Sequence, residues 1–273
     1  MKTTPFSSPD SRKPIGSRGI ISKVDSGWAL VAAVILITVL LVTLKEDPFM
    51  RILDAVKDGV WVTLKITLVS FFLVLVVGLF GGLGRISKNP IIRGIATVYV
   101  EVVRGIPLLV QLMYWYFAFP AVIRDMGVWL NIASMANYRT NAEVMAILGF
   151  TVCYGAYMSE IYRAGIQSIT KGQMEAARSL GMTYVQGMRY VVIPQAIRVI
   201  LPPVGNELVT LLKDSSLVSA VSLPDLTRRG REWNATNFRP IETYTMIALV
   251  YLIMTLLAAR LAVWIEKKTQ LEK

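Results

Sequence analysis

The sequence predicts an all-α membrane protein with about six transmembrane helices, and three observations carry that prediction. First, 54% of its 273 residues are hydrophobic and only 17% charged, giving a mean hydropathy of +0.54. Second, the apolar residues gather into runs of about 20, long enough to cross a hydrocarbon core of about 30 Å. Third, the basic residues sit in short segments between those runs. The net charge of +11 therefore points to membrane orientation by the positive-inside rule, and no nucleic acid is implied. The chain has no histidine, which removes the commonest general acid–base group and metal ligand. Its one cysteine, Cys153, lies inside an apolar run, so no internal disulfide can form and a buried structural thiol is expected. No catalytic or metal-binding constellation is present.

The elements follow in order. Residues 1–26 are rich in Ser, Pro, Lys and Arg without an apolar period, as expected of a disordered tail. The first span, 27–44, is too long for a signal-peptide core and no small-residue cleavage site follows it, so it is expected to stay in the membrane. An outer loop over 45–58 follows. The second span, 59–83, contains Gly78, Gly81 and Gly82, with Gly84 just beyond, which suits close helix contact. The third, 97–119, carries Trp115 and Tyr116 as interfacial anchors, and the fourth covers 144–164. There Gly149, Cys153 and Ala156 form a small packing stripe. The fifth, 203–223, is expected to start at Pro202 and Pro203, and the sixth covers 244–265.

Orientation comes from the short loops. Lys2, Arg12, Lys13, Arg18 and Lys23 precede the first span, Arg85, Lys88 and Arg93 follow the second, and Arg163, Lys171, Arg178 and Arg189 follow the fourth. Lys267, Lys268 and Lys273 close the chain. With six spans all four sets fall on one side, which places both termini in the cytoplasm. The segment 224–242, with Arg228, Arg229, Arg231 and Arg239, breaks the rule and implies a structural or partner role.

Charges inside spans are costly and face a bundle interior or a watery path. Asn206, Thr210 and Lys213 share one face of the fifth span, and Glu207 and Asp214 lie on the adjoining one. They line a substrate pathway or form an internal ion network. If they bind a zwitterion, Lys213 suits the carboxylate and Glu207 or Asn206 the ammonium. Glu101 and Arg104, and likewise Glu160 and Arg163, stand three residues apart near the inner ends of the third and fourth spans. They are expected to form structural ion pairs that also tune gating.

The polar segment 171–194, KGQMEAARSLGMTYVQGMRYVVIP, departs most from the rest. Lys171 to Leu180 favours helix, Gly181 ends it, and 182–190 forms a second short helix. Such a pair can dock into a groove on a soluble partner, or lie unpartnered at the membrane surface. Its pattern, EAA, three residues, Gly181, nine residues and VVIP, resembles the EAA loop of ABC import permeases. The resemblance extends through 99–111 (YVEVVRGIPLLVQ), 154–168 (YGAYMSEIYRAGIQS), 201–207 (LPPVGNE) and 212–217 (LKDSSL). These resemble permeases for polar amino acids of the histidine, glutamate, glutamine and arginine type, and cover about 59–265.

The resemblance implies a five-helix type I ABC importer core over 59–265, with a coupling loop at 170–194. It also implies an added N-terminal transmembrane helix and outer loop at 27–58 and a cytoplasmic tail at 266–273. Coupling to an ATPase would run through Lys171, Glu175, Ala176, Ala177, Leu180 and Gly181. The chain would be a non-enzymatic permease subunit of the bacterial inner membrane. Its partners would be ABC ATPase subunits, which bind ATP and magnesium, an identical or homologous permease, and a periplasmic or lipid-anchored amino acid-binding protein. No phosphate-binding P-loop occurs in this sequence. An ion-gradient secondary transporter is the rival reading, but no internal repeat supports it. A polytopic membrane enzyme lacks any clustered acid motif.

Overall fold

A computed structural model describes residues 26–270, and every element among them is helical. The expected tail lies outside the described residues except for Ser26, as do 271–273. Helix α1 covers Ser26–Leu44, α2 Glu46–Arg85 and α3 Pro90–Gly105. Then α4, Leu108–Met113, passes through a π-helical turn into α5, Phe119–Trp129, and α6 is the single turn Ala133–Ala136. Helix α7 covers Ala142–Gln167, α8 Lys171–Ser179, α9 Tyr184–Gly187 and α10 Ile193–Asp214. A 3₁₀ segment, Ser215–Val221, leads to α11, Leu226–Asn237, and α12, Pro240–Gln270.

By length and composition, four helices could cross a membrane alone: α1, α2, α7 and α12. A fifth span results if α3 and the α4–α5 segment, bent by 102° to each other, are taken together. Helix α10, interrupted by Arg198, Glu207, Lys213 and Asp214, is not among them.

The centre of the bundle is the pair α2 and α7. A Cβ built on Gly78 would stand 2.5 Å from the Met158 side chain, and one on Gly82 2.9 Å from the Ser159 carbonyl. Only glycine permits that approach, as its position in the sequence predicts. Ile66, Val74, Phe150 and Met158 are wholly buried in this seam, joined by Leu112 and Leu211. Large apolar side chains such as Trp61, Phe72 and Phe80 point outward, where lipid is as apolar as they are.

Three expectations are corrected. The outer loop over 45–58 is the first part of α2, because Phe49, Ile52 and Val56 recur on one face and are buried there. At 40 residues α2 runs about 60 Å, twice the hydrocarbon thickness. The third span is broken at Ile106–Pro107, since proline offers no N–H and excludes its predecessor from helix. Trp115 and Tyr116 are half-buried, and Trp115 packs on Phe119 with ring centroids 4.6 Å apart. The fifth span starts ten residues early, so Pro202 and Pro203 lie inside α10 rather than at its start.

The arginine-rich segment is α11. Arg228 and Arg229 both pair with Glu232, at 2.9 and 3.3 Å, and hold its carboxyl below the ordinary range. Arg231 donates to the Ser219 carbonyl at 2.9 Å. Helix α11 is fixed to α2 by the close approach of Gly59 to the Asp225 backbone and by the Leu226 N–H, which donates to Thr63 Oγ1 at 3.2 Å.

Asp225 is fully buried and caps α11, accepting from the N–H groups of Thr227 and Arg228 at 3.1 and 3.0 Å. Burial nonetheless pushes its carboxyl above the ordinary range, outweighing those bonds. The folded chain therefore holds this proton more tightly than the unfolded chain. Stability should fall as pH rises from about 4, the unperturbed value, through the raised folded value. Asp225→Asn should remove that fall. Asp225→Ala should cost about 0.5–2 kcal/mol through the lost cap. Thermal midpoints across pH for the three forms check both outcomes.

Candidate functional site: the cavity between α7 and α10 and the polar turn beyond it

The last turns of α7 and the first half of α10 diverge around a cavity of about 450 Å³. Arg104, Tyr157, Glu160, Val199, Pro203 and Glu207 are among its walls. That volume is within the ordinary range for small-molecule sites, ~300–1,000 Å³. Glu207 is half-buried and Arg104 exposed, within electrostatic reach of each other. Neither is committed to an ion pair among the described residues. Arg104 sets its guanidinium 5.0 Å over the Tyr157 ring. Pro203 withdraws the donor that the Val199 carbonyl would take in an uninterrupted helix, and both residues face the cavity.

The expected pair Glu101–Arg104 does not form. Helix α3 ends at Gly105, and Arg104 turns toward α7 while Glu101 stays exposed. The expected pair Glu160–Arg163 does form, with Arg163 Nε donating at 3.0 Å and Nη2 also bonded. It acquires a partner the sequence reading missed. Arg85, at the end of α2, bonds the same carboxylate. Nothing in the local spacing reveals that contact, which joins residues 75 positions apart.

Asn206, Thr210 and Lys213 do share a face of α10, and it is exposed. Thr210 Oγ1 donates to its own helix at the Asn206 carbonyl, 3.0 Å away. Asp214 accepts from Tyr154 Oη at 2.6 Å. Of the five pathway candidates on α10, only Glu207 lines the cavity. Asp214 joins Tyr154, and the other three form an outer stripe.

Gln111 is a second residue whose role sequence reasoning missed. Pro107 has no N–H for the Val103 carbonyl, and Gln111 Nε2 donates there and to the Ile106 carbonyl, both at 2.8 Å. It also lies 3.5 Å from Cys153 Sγ. An amide four residues beyond a proline in an apolar run is a readable signal, because in lipid each buried polar group needs a partner.

The polar turn after α7 is built by local rules. The Gly181 N–H donates to the Arg178 carbonyl at 3.0 Å and the Met182 N–H to the Ala177 carbonyl at 3.1 Å. This is a Schellman end, and Gly181 has φ +83°. Thr183 and Gln186 then form a capping box, at 3.3 and 2.8 Å. The second short helix expected over 182–190 is only Tyr184–Gly187, which continues through a π-helical turn, Met188–Val192, into α10. Ala177 is buried inside the turn, close to Gly187. Lys171, Glu175 and Ala176 are exposed. So are Leu180 at 81% and Val185 at 71%.

The chain as a whole is similar to known proteins. The model of binding-protein-dependent transport system inner membrane components matches residues 74–271, and the chain belongs to that family. It is 35% identical over 214 residues to the glutamine transport system permease protein GlnP of Escherichia coli, covering 78% of this chain and 92% of that protein. It is 35% identical over 213 residues to the L-cystine transport system permease protein TcyB of Bacillus subtilis, covering 78% and 85%. The crystal structure of an amino acid ABC transporter with histidines superposes with a TM-score of 0.69 at 36% identity, over 80% of this chain and 96% of that one. The helical fold is thus that of ABC importer permeases.

The Arg85–Glu160–Arg163 cluster gives a test. Glu160→Gln strands two half-buried guanidiniums, which should cost about 1–3 kcal/mol. Arg85→Gln with Glu160→Gln should recover part of that loss. Thermal unfolding of the purified single and double variants measures the coupling.

Proposed function

We propose that the chain is a permease subunit of an ATP-driven ABC importer that moves polar L-amino acids across the bacterial inner membrane. The single observation that carries this reading is the cavity with Arg104 and Glu207 uncommitted on its wall. A zwitterionic amino acid needs a cation for its carboxylate and an acid for its ammonium, and this wall offers both. Arg104 takes the role that spacing alone gave to Lys213, whose side chain lies on the exposed stripe. Family membership and the names of the relatives, glutamine and L-cystine permeases, support the same reading.

Two permease chains, identical or homologous, enclose the pathway, and the stripe Asn206, Thr210 and Lys213 borders it. Both termini and the turn at 170–194 face the cytoplasm. There Lys171, Glu175, Ala176, Leu180 and Gly181 meet an ABC ATPase, and an amino acid-binding protein delivers substrate from outside. The added helix is α1, and the importer core begins within α2, at about residue 59. ATP and magnesium are held by the ATPase, and this chain needs no cofactor. Nucleotide binding favours one arrangement of the ATPase pair, and the docked turns carry that preference into the bundle. The shift can be no larger than the difference in nucleotide affinity between the two states.

Arg104→Met and Glu207→Gln should each raise the apparent transport constant about 10- to 100-fold, the worth of one charged hydrogen bond, while assembly with the ATPase persists. Lys213→Met should change it less. Amino acid uptake into proteoliposomes measures all three, and unaltered uptake in the first two would sink this assignment of the site.

Gly181 gives a separate test of coupling. A Cβ there meets open space, so the constraint is its φ, which costs other residues about 1–2 kcal/mol. Gly181→Val should lower uptake and stimulated ATP hydrolysis with normal membrane insertion. Gly181→Asn, which tolerates that conformation, should be spared.

A further inference from the structure

One carboxylate on the cavity wall holds more cations than its charge requires. Arg163 bonds both oxygens of Glu160, through Nε at 3.0 Å and through Nη2. That two-pronged contact already offsets the charge of the acid. Arg85 nonetheless bonds Oε2 as well. Its side chain is the least exposed of the three, at 17%, so solvent screens it least. The cluster therefore carries one surplus positive charge. Arg85 reaches it because it follows Gly82 by three residues and Gly78 by seven, on the face of α2 that packs against α7.

Arg104 lies within electrostatic reach of Glu160 as well as of Glu207. Its guanidinium rests over the Tyr157 ring, and Glu160 follows Tyr157 by three residues on the same face of α7. Arg104 is exposed, so its flexible stem is not packed in place. A side chain so placed has two acids to choose between.

Ordinary causes explain part of this. A cation in the last turn of α2 offsets the helix dipole, and a link from α2 to α7 braces the bundle. Neither cause requires the link to land on a carboxylate that Arg163 already holds.

We propose that Arg85 is a positioning residue: its charge, set on Glu160, keeps Arg104 from pairing with that carboxylate and so keeps the Arg104 guanidinium open to a ligand carboxylate in the cavity. With Arg85 in place the cluster is net positive and repels Arg104. Without it the cluster is neutral, and Glu160 Oε2 has a vacant acceptor position. The consequence for transport rests on the reading of Arg104 and Glu207 given above. The effect on Arg104 itself does not.

The test uses the full permease assembled with its ATPase and reads Arg104 directly. Phenylglyoxal modifies accessible, unpaired guanidiniums, and mass spectrometry of the peptide containing Arg104 gives the rate. Arg85→Gln should slow modification of Arg104 about two- to fivefold, the worth of a solvent-accessible ion pair. Arg85→Lys keeps the charge and should keep the parent rate. Arg85→Gln with Glu160→Gln should restore it, because no carboxylate is left to capture Arg104. Uptake of an equimolar mixture of L-amino acids into proteoliposomes should follow the same order. The apparent transport constant should rise in Arg85→Gln with the maximal rate kept, and fall back in the double variant. An unchanged rate of modification in Arg85→Gln overturns the proposal. So does a faster one, which mere loosening of α2 from α7 would give, and so does a slowed rate that persists in the double variant. Slowed modification with an unaltered transport constant would uphold the role of Arg85 and count against Arg104 as the substrate's partner.

Discussion

The close approach of α2 and α7 is the contact on which the remaining structure depends. Glycine at 78, 81 and 82 brings the two backbones together along a seam closed by Met158 and Ser159. In lipid no hydrophobic force drives helices together, so packing of this kind must do it. Its consequences run to both ends of the bundle. Near one end of the seam Lys65 pairs with Glu143 at 2.6 Å. At the other, Arg85 arrives beside Glu160 and completes a charge cluster on the cavity wall.

A second constraint governs every interruption. Backbone groups that leave a helix inside the membrane must find partners within the protein. The break at Ile106–Pro107 is closed by Gln111; outside the candidate spans, Asp225 likewise caps the start of α11. The prolines within α10 are different, since Pro203 leaves a carbonyl opposite the cavity. Interruptions therefore fall where the chain turns or where it opens a path.

The cavity and the polar turn lie along one continuous stretch. Helix α7 supplies Tyr157 and Glu160, then becomes the turn, which runs through α8 and α9 into α10 and returns to the cavity at Val199 and Glu207. The turn is thus continuous in sequence with both walls of the cavity. The same continuity explains why α10 begins early. The π-helical turn at Met188–Val192 passes the chain into it without a break, so the expected second short helix and the fifth span are one element.

Much of this was legible in the sequence. Apolar length identified α1, α2, α7 and α12, glycine spacing identified the seam, and the EAA-type pattern identified the polar turn, with Gly181 ending α8 within it. These are local properties: hydropathy, a missing Cβ, a positive φ. What the sequence did not decide depends on partners far along the chain. It could not choose Arg104 over Lys213 to face Glu207, because that follows from the bend after Gly105 and the divergence of α7 and α10. Nor could it join Arg85 to Glu160, or turn the segment 45–58 into helix, since its apolar face is stabilised by burial against residues of α1, α10, α11 and α12. Sequence by itself determined that α1, α2, α7 and α12 are apolar enough to cross a membrane and that α8 ends at Gly181, because solvation and backbone sterics act residue by residue. Tertiary structure alone decided which charges meet, because a charge pair is set by the distance between helices and not by their order.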